Sequence, residues 1–159
     1  MQVSVGENGQ VWDSVSLPLG AARVSTRFLP SDPPTYLEEA LLVTYLANTL
    51  PGALPLRDTN VSGVLGVGGT LRRIPPLMGL ELGESFPHDD IETLLASLRS
   101  KPTSEIASEY DLKPERARLL MPTLLVIREV LRGYDFPPLI MAAYGMREGA
   151  IMALARRST

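Results

Sequence analysis

Gly66-Val67-Gly68-Gly69-Thr70 is the stretch whose composition points most directly at an anion. It follows the apolar run Val61 to Leu65 and precedes a helical pattern, so it reads as a strand end turning into a helix from about Thr70. Bare backbone at such a turn lets N–H groups approach a phosphate closely, and a helix N-terminus adds partial positive charge. A second reading is a tight strand-to-helix connection whose glycines only permit positive φ. The run lacks the Lys-Ser/Thr of a nucleotide-binding phosphate loop and is not a complete dinucleotide fingerprint.

Gly145-Met146-Arg147-Glu148-Gly149 is a second turn of the same kind, carrying a charged pair. Either Arg147 meets a phosphate, or Arg147 pairs with a carboxylate while Glu148 caps the first helical turn. His88, the single histidine, is followed by Asp89 and Asp90. One histidine with two adjacent aspartates at a helix start reads as an N-terminal cap rather than a ligand set. Arg116, Arg118 and Arg128 fall on a long helical pattern and read as a solvated face. No Ser-His-Asp triad can be assembled with independent support, and Trp12 with the sparse aromatics makes no base-stacking platform.

These residues need elements to hold them. Val3 and Val5, then Val11, Val15 and Leu17, alternate across Asn8-Gly9, which predicts a hairpin. A short helix is expected over Gly20 to Leu29. Thr35 and Glu38 have capping-box spacing, and Leu37, Leu41 and Tyr45, flanked by Leu42 and Leu46, form the expected apolar face before Pro51-Gly52. Val61 to Leu65 and Leu139 to Ala143 read as buried strands. Ile91, Leu94, Leu95 and Leu98 make one stripe of an amphipathic helix. Further helices are expected over Ser104 to Tyr110, over Pro114 to Leu131 with Pro122 kinking or dividing it, and from Met146 to about Arg156. Two apolar strands, each followed by a glycine turn and a helix, predict an α/β fold whose sheet has parallel members.

A chain of 159 residues with 45% hydrophobic and 21% charged residues reads as a single domain over 1–159 with its own core. A formal charge of −3 argues against non-specific nucleic-acid binding. The absence of cysteine removes thiol nucleophiles, disulfides and zinc fingers, and suits a cytoplasmic protein. No basic start with an apolar run marks a signal peptide, and no window of about 18 apolar residues predicts a membrane span.

Four segments together resemble the exopolyphosphatase and guanosine-pentaphosphate phosphohydrolase (Ppx/GppA) family over almost the whole chain. Ser16-Leu17-Pro18-Leu19-Gly20-Ala21-Ala22-Arg23 is similar to its S-L-P-L-G-A-x-R segment. Gly66 to Thr70 resembles its second-domain G-x-G-G-T turn. Pro114-Glu115-Arg116-Ala117 resembles its P-x-R-A helix start, and Gly145 to Gly149 its terminal G-L-R-E-G. Thr123 stands where the family often has glycine, and Ala142-Ala143 where Ser-Asp is common.

The resemblance implies an actin-like fold of two ribonuclease-H-like domains with a phosphate-binding cleft between them. This chain would be the second domain, with extra helices. The implied activity is removal of terminal phosphate from polyphosphate or guanosine pentaphosphate, with magnesium. The implied phosphate-binding residues are Gly66, Gly68, Gly69, Thr70, Arg147 and Glu148; the motif match makes none of this chain's residues catalytic. The family's D-x-G-(S/T) loop and base glutamate belong to a first domain that these residues do not match. Its D-I-G-G-G-S strand would directly precede Met1. The expected fold therefore lacks its first central strand and leaves open sheet edges, suited to a second copy or a complementing chain. Three functions follow: a phosphoanhydride hydrolase when the domain set is complete, a non-catalytic phosphate or nucleotide binder, or a protein-interaction remnant.

Overall fold

Alternation in the first sixteen residues closes into the expected hairpin. Strand β1 (Gln2–Glu7) pairs antiparallel with β2 (Gln10–Ser16), Val3 opposite Val15. Asn8 and Gly9 take φ of 52° and 79°, the left-handed pair that a two-residue hairpin turn requires. Val3, Val5 and Val15 pack against the core, while Gln2 and Ser4 face solvent. The computed structural model describes residues 1–56 and 60–157.

Helix α1 (Ala21–Phe28) leads through a proline-rich loop to α2 (Tyr36–Thr49). The capping box is present. Glu38 N–H donates to Thr35 Oγ1 at 3.3 Å, and Thr35 N–H donates to Glu38 Oε2 at 2.6 Å. Glu38 Oε1 also accepts from the Ser31 hydroxyl and N–H, so one carboxylate ties the loop to the helix start. The Thr35 backbone first, then the Ser31 hydroxyl, hold the Glu38 carboxyl below its ordinary range.

The apolar face of α2 differs from the expected one. Leu42 and Leu46 are fully buried with Leu50, whereas Leu37 and Leu41 are 67% and 55% exposed. Because α2 is apolar on several sides, periodicity alone does not choose its inner face. The choice is made by packing against α7 (Leu120–Gly133). It also places Glu39 inward, where the Arg99 guanidinium grips it through Nε at 3.1 and 3.0 Å and Nη2 at 2.8 Å.

Helix α7 is the hub, packed against α1, α2 and α4 (His88–Leu98). Ile91, Leu94, Leu95 and Leu98 of α4 are buried on the predicted stripe. Helix α5 (Thr103–Glu109) is capped from outside, the Asp32 carboxylate accepting from Thr103 N–H and hydroxyl at 2.7 and 2.9 Å. Pro122 does not itself divide the long segment. The break falls upstream, between α6 (Pro114–Ala117) and α7, leaving Pro122 in the first turn of α7 where its missing donor is not needed.

Strand β3 (Val64–Gly66) pairs in parallel with β5 (Leu139–Met141), and β4 (Ser85–Phe86), not foreseen in the sequence, adds antiparallel to the far side of β5. Beyond β3 the chain makes a 3-10 turn at Leu71–Arg73 and the one-turn helix α3 (Ile74–Leu77), not the longer helix expected from Thr70. Pro75 and Pro76 lack the N–H groups that a longer helix would use. The last helix, α8 (Met146–Arg157), starts as expected. The result is mixed α/β, in two sheets: β1-β2, and β3-β5-β4. Among the described residues no ladder joins β1 to β3, and a groove of about 330 Å³ runs between them. No described helix is long and apolar enough to cross a membrane.

Two outcomes check this packing. Leu46→Ala is expected to lower unfolding free energy by roughly 2–5 kcal/mol, and Leu41→Ala to stay within about 0.5 kcal/mol; urea titration reads both. Glu38, with its folded pKa lowered, stabilises above its ordinary value of 4.5 and loses that contribution as pH falls through the folded value. Glu38→Gln is therefore less stable than the parent at neutral pH, with a gap that closes in acid; urea midpoints across that range measure it.

Candidate anion site

Parallel pairing decides where the two glycine turns go. Gly66 sits opposite Met141, so β3 and β5 end side by side and both following turns leave the same sheet edge. Ala142 N–H donates to Gly66 C=O at 2.9 Å, extending the pairing into the turns. Arg72, one residue beyond the glycine run and its Leu71, reaches across to donate from Nη1 to Ala143 C=O at 3.2 Å. The open ends of parallel strands are where α/β folds commonly bind ligands.

Between the turns lies an open pocket of about 720 Å³. Gly68, Gly69, Arg72, Gly145, Arg147 and Glu148 form one side of it, with Met1, Gln2, Ser4 and Leu65 beside them. Four of the six sequence-selected residues, Gly68, Gly69, Arg147 and Glu148, are thus brought together. Gly66 is buried one step below, bordering the groove between β1 and β3. Thr70 lies on the other flank of the turn, in a separate recess shared with Gly20, Ala21 and Thr123. Thr123 spends its hydroxyl on Leu119 C=O at 2.6 Å within the helical segment.

The glycines are not present for left-handed backbone. Positive φ among the described glycines occurs at Gly9, Gly79 and Gly83, and not at Gly66, Gly68 or Gly69. Gly66 is a packing position: a Cβ there would meet Met141 Sδ at 3.1 Å and Leu71 Cδ1 at 3.3 Å. At Gly68 and Gly69 the nearest atoms to such a Cβ are both 3.8 Å away, Leu71 Cδ1 and Arg116 Nη1. Space exists for side chains that the sequence omits, leaving backbone bare toward the pocket.

Helix-terminus charge contributes less than expected at the first turn, since only a 3-10 turn and a single α-helical turn follow it. Positive charge comes instead from side chains. Arg72 and Arg147 border the pocket, and exposed Arg116 brings its guanidinium beside Gly69. Neither Arg72 nor Arg116 was separable from surface arginines by spacing. The P-x-R-A motif at Arg116 was the available signal, and for Arg72 there was none.

Glu148 caps, as one of the two sequence readings had it. Its Oε2 accepts from Gly145 N–H at 2.8 Å. Its own backbone N–H first, then that of Gly145, hold the carboxyl below the usual range, with Arg72 and Arg147 adding in the same direction. His88 begins α4 with Asp89 and Asp90 in the first turn, and packs edge-on to Phe136 at 4.4 Å. Magnesium, which the resemblance implies, does not fit the residues present: among the described residues no three His, Asp or Glu side chains come together to hold a metal. Glu148, the one carboxylate at the pocket, is already engaged.

Residues 1–158 match the Ppx/GppA phosphatase family. Exopolyphosphatase 1 of Mycobacterium leprae is 24% identical over 161 residues, covering 96% of this chain and 48% of that protein. Its counterpart from Mycobacterium tuberculosis H37Rv is 23% identical over 96% of this chain and 47% of its own length. The crystal structure of the Aquifex aeolicus Ppx/GppA family member superposes with a TM-score of 0.88 at 20% identity, covering 99% of this chain and 53% of that one. An exopolyphosphatase from Cytophaga hutchinsonii gives 0.81 at 16% identity, over 96% and 53%. The chain spans about half the length of these relatives, and the mixed α/β arrangement is theirs. It belongs to the Ppx/GppA phosphatase family.

Proposed function

We propose that this chain forms one wall of a phosphoanhydride hydrolase of the exopolyphosphatase type, as the ribonuclease-H-like second domain of the complete protein. The wall binds the terminal phosphates of polyphosphate or guanosine pentaphosphate. The observation carrying this reading is the convergence of bare backbone at Gly68-Gly69 with Arg72 and Arg147 in one open pocket. Guanidinium groups and unhindered N–H donors are complementary to phosphate oxygens. Arg147 serves as the clamp, since Arg72 is tied to Ala143 and braces the two turns.

The wall does not supply a base. A proton acceptor for attacking water needs a pKa near the working pH and a free lone pair in reach. Glu148 is held low and occupied by Gly145 N–H, which suits an ionised cap and not a base. The general base and the metal are assigned to residues outside this chain. A binding-only role for the isolated 159 residues is the second reading, favoured by that same engagement of Glu148.

Phosphate release from polyphosphate and from guanosine pentaphosphate, with magnesium, tests the reading. The isolated chain is expected to bind polyphosphate without turnover, and to support turnover when the remaining half of a family protein is added. Failure to bind in a folded sample would overturn the proposal. Binding should weaken as salt rises, because a pocket this open is screened over about 10 Å at 0.1 M. Arg147→Gln is expected to reduce polyphosphate affinity roughly tenfold by removing one charge-assisted contact. Gly68→Ala should leave stability unchanged or raised by about 0.4–1 kcal/mol, while weakening polyphosphate binding. Gly66→Ala should instead destabilise by about 1 kcal/mol through crowding at Met141 and Leu71. Calorimetric titration and thermal melts read these effects separately.

A further inference from the structure

We propose that Met146 is a reversible oxidation site on the wall of the anion pocket. A peroxide converts its thioether to a sulfoxide, whose oxygen then competes with phosphate for the pocket's arginines. The consequence for binding rests on the functional reading above; the site itself rests on exposure, packing and sulfur chemistry.

The chain has no cysteine, so its six methionines carry all of its sulfur. Packing divides them. Met141 is fully buried with its Sδ beside Gly66, and Met121 is buried in α7. Met78 is half-buried against the core. So is Met1, which also lines the anion pocket. Met146 is 84% exposed and lines that pocket, while Met152, 55% exposed farther along α8, does not. Exposure and position coincide at one thioether.

The turn around Met146 is pinned from within. Gly149 N–H donates to Gly145 C=O at 3.1 Å, opening α8, and Gly145 N–H donates to the Glu148 carboxylate at 2.8 Å. Met146 and Arg147 are thus neighbours at a fixed helix start, and both border the pocket with Arg72. Among the described residues the Arg147 guanidinium makes no hydrogen bond or salt bridge, and Arg72 spends Nη1 on Ala143 C=O. A thioether is a weak acceptor and leaves these donors to an anion. A sulfoxide is polar, and its oxygen accepts strongly. Glu148 is ionised and only accepts, so the charged donors at the pocket are the two guanidinium groups.

The step balances without help from the chain. A sulfur lone pair attacks one peroxide oxygen, the O–O bond breaks and the S–O bond forms. The other oxygen leaves as water or alcohol, taking up the proton, so sulfur loses two electrons and the peroxide gains them. A dithiol reductant reverses it: two thiols become a disulfide and the sulfoxide oxygen leaves as water.

Graded hydrogen peroxide on the 159-residue chain, followed by peptide mass mapping, shows which methionines gain oxygen. Met146 is expected to react ahead of Met1, Met78, Met121 and Met141, with Met152 its nearest competitor. Polyphosphate should then bind about fivefold more weakly by calorimetric titration, and methionine sulfoxide reductase with a dithiol should restore the affinity. Met146→Leu conserves volume, so it should bind like the parent before peroxide and stay unchanged after it. Reaction of Met121 or Met141 first overturns the proposal. So does an affinity loss that survives in Met146→Leu, because another methionine then carries it, or full sulfoxide at Met146 in a binding-competent chain whose affinity does not change. The Arg147 Nε–H resonance keeps the two readings apart: oxidation should shift it in the parent and not in Met146→Leu. If the reduced chain binds no polyphosphate, the functional reading falls, and a shifted Arg147 resonance leaves the oxidation contact standing, whereas an unshifted one overturns both.

Discussion

Parallel pairing of two three-residue strands is the constraint on which the rest depends. Val64 to Gly66 and Leu139 to Met141 are aligned so that both chains leave the sheet together. Were the pairing antiparallel, the two glycine turns would emerge at opposite ends of the strands, and Arg72 could not reach Ala143. Strands this short do not hold themselves; they rest on the buried core led by Leu139, Met141 and Ile74, with β4 closing the far side. The pocket between the two turns is thus a consequence of register, and register is a consequence of packing.

Helix α7 is the other support. Its buried residues run along most of its length, and three helices pack on it. Its Arg128 and Arg132 hold the buried Glu129 carboxylate, through Nε at 3.1 Å and Nη2 at 2.7 Å, with Arg128 also reaching Glu92. These arginines are spent within the helical layer, far from the glycine turns in role. Arg72 and Arg147 instead border the pocket at the strand ends. Charge that looks interchangeable along the sequence is thereby sorted into structural and available sets.

Much of this was legible where the signal is local. The Asn8-Gly9 hairpin, the Thr35–Glu38 capping box and the α4 stripe each depend on residues within about two turns of one another, and each formed as expected. The resemblance motifs located both glycine turns. What was not legible was set by distant partners. Leu37 and Leu41 lost the inner face of α2 to Leu42 and Leu46 because α7 lies on that side. The two-residue β4 has too little sequence to alternate. Arg72 is ordinary until β5 brings Ala143 beside it. Of the two readings of the glycines, positive φ is not what Gly66, Gly68 or Gly69 adopt, and Gly66 is a tight packing position.

The distribution of charge at the strand ends carries one last consequence. Three guanidinium groups gather around the first turn and its neighbour, while the single nearby carboxylate is bent back onto Gly145 N–H. That carboxylate is held below its usual range by the N–H groups it accepts from and by Arg72 and Arg147, so the wall carries charge of both signs. Catalysis requires interactions that strengthen only as a transition state forms. One fixed wall of arginine and backbone cannot provide that difference alone.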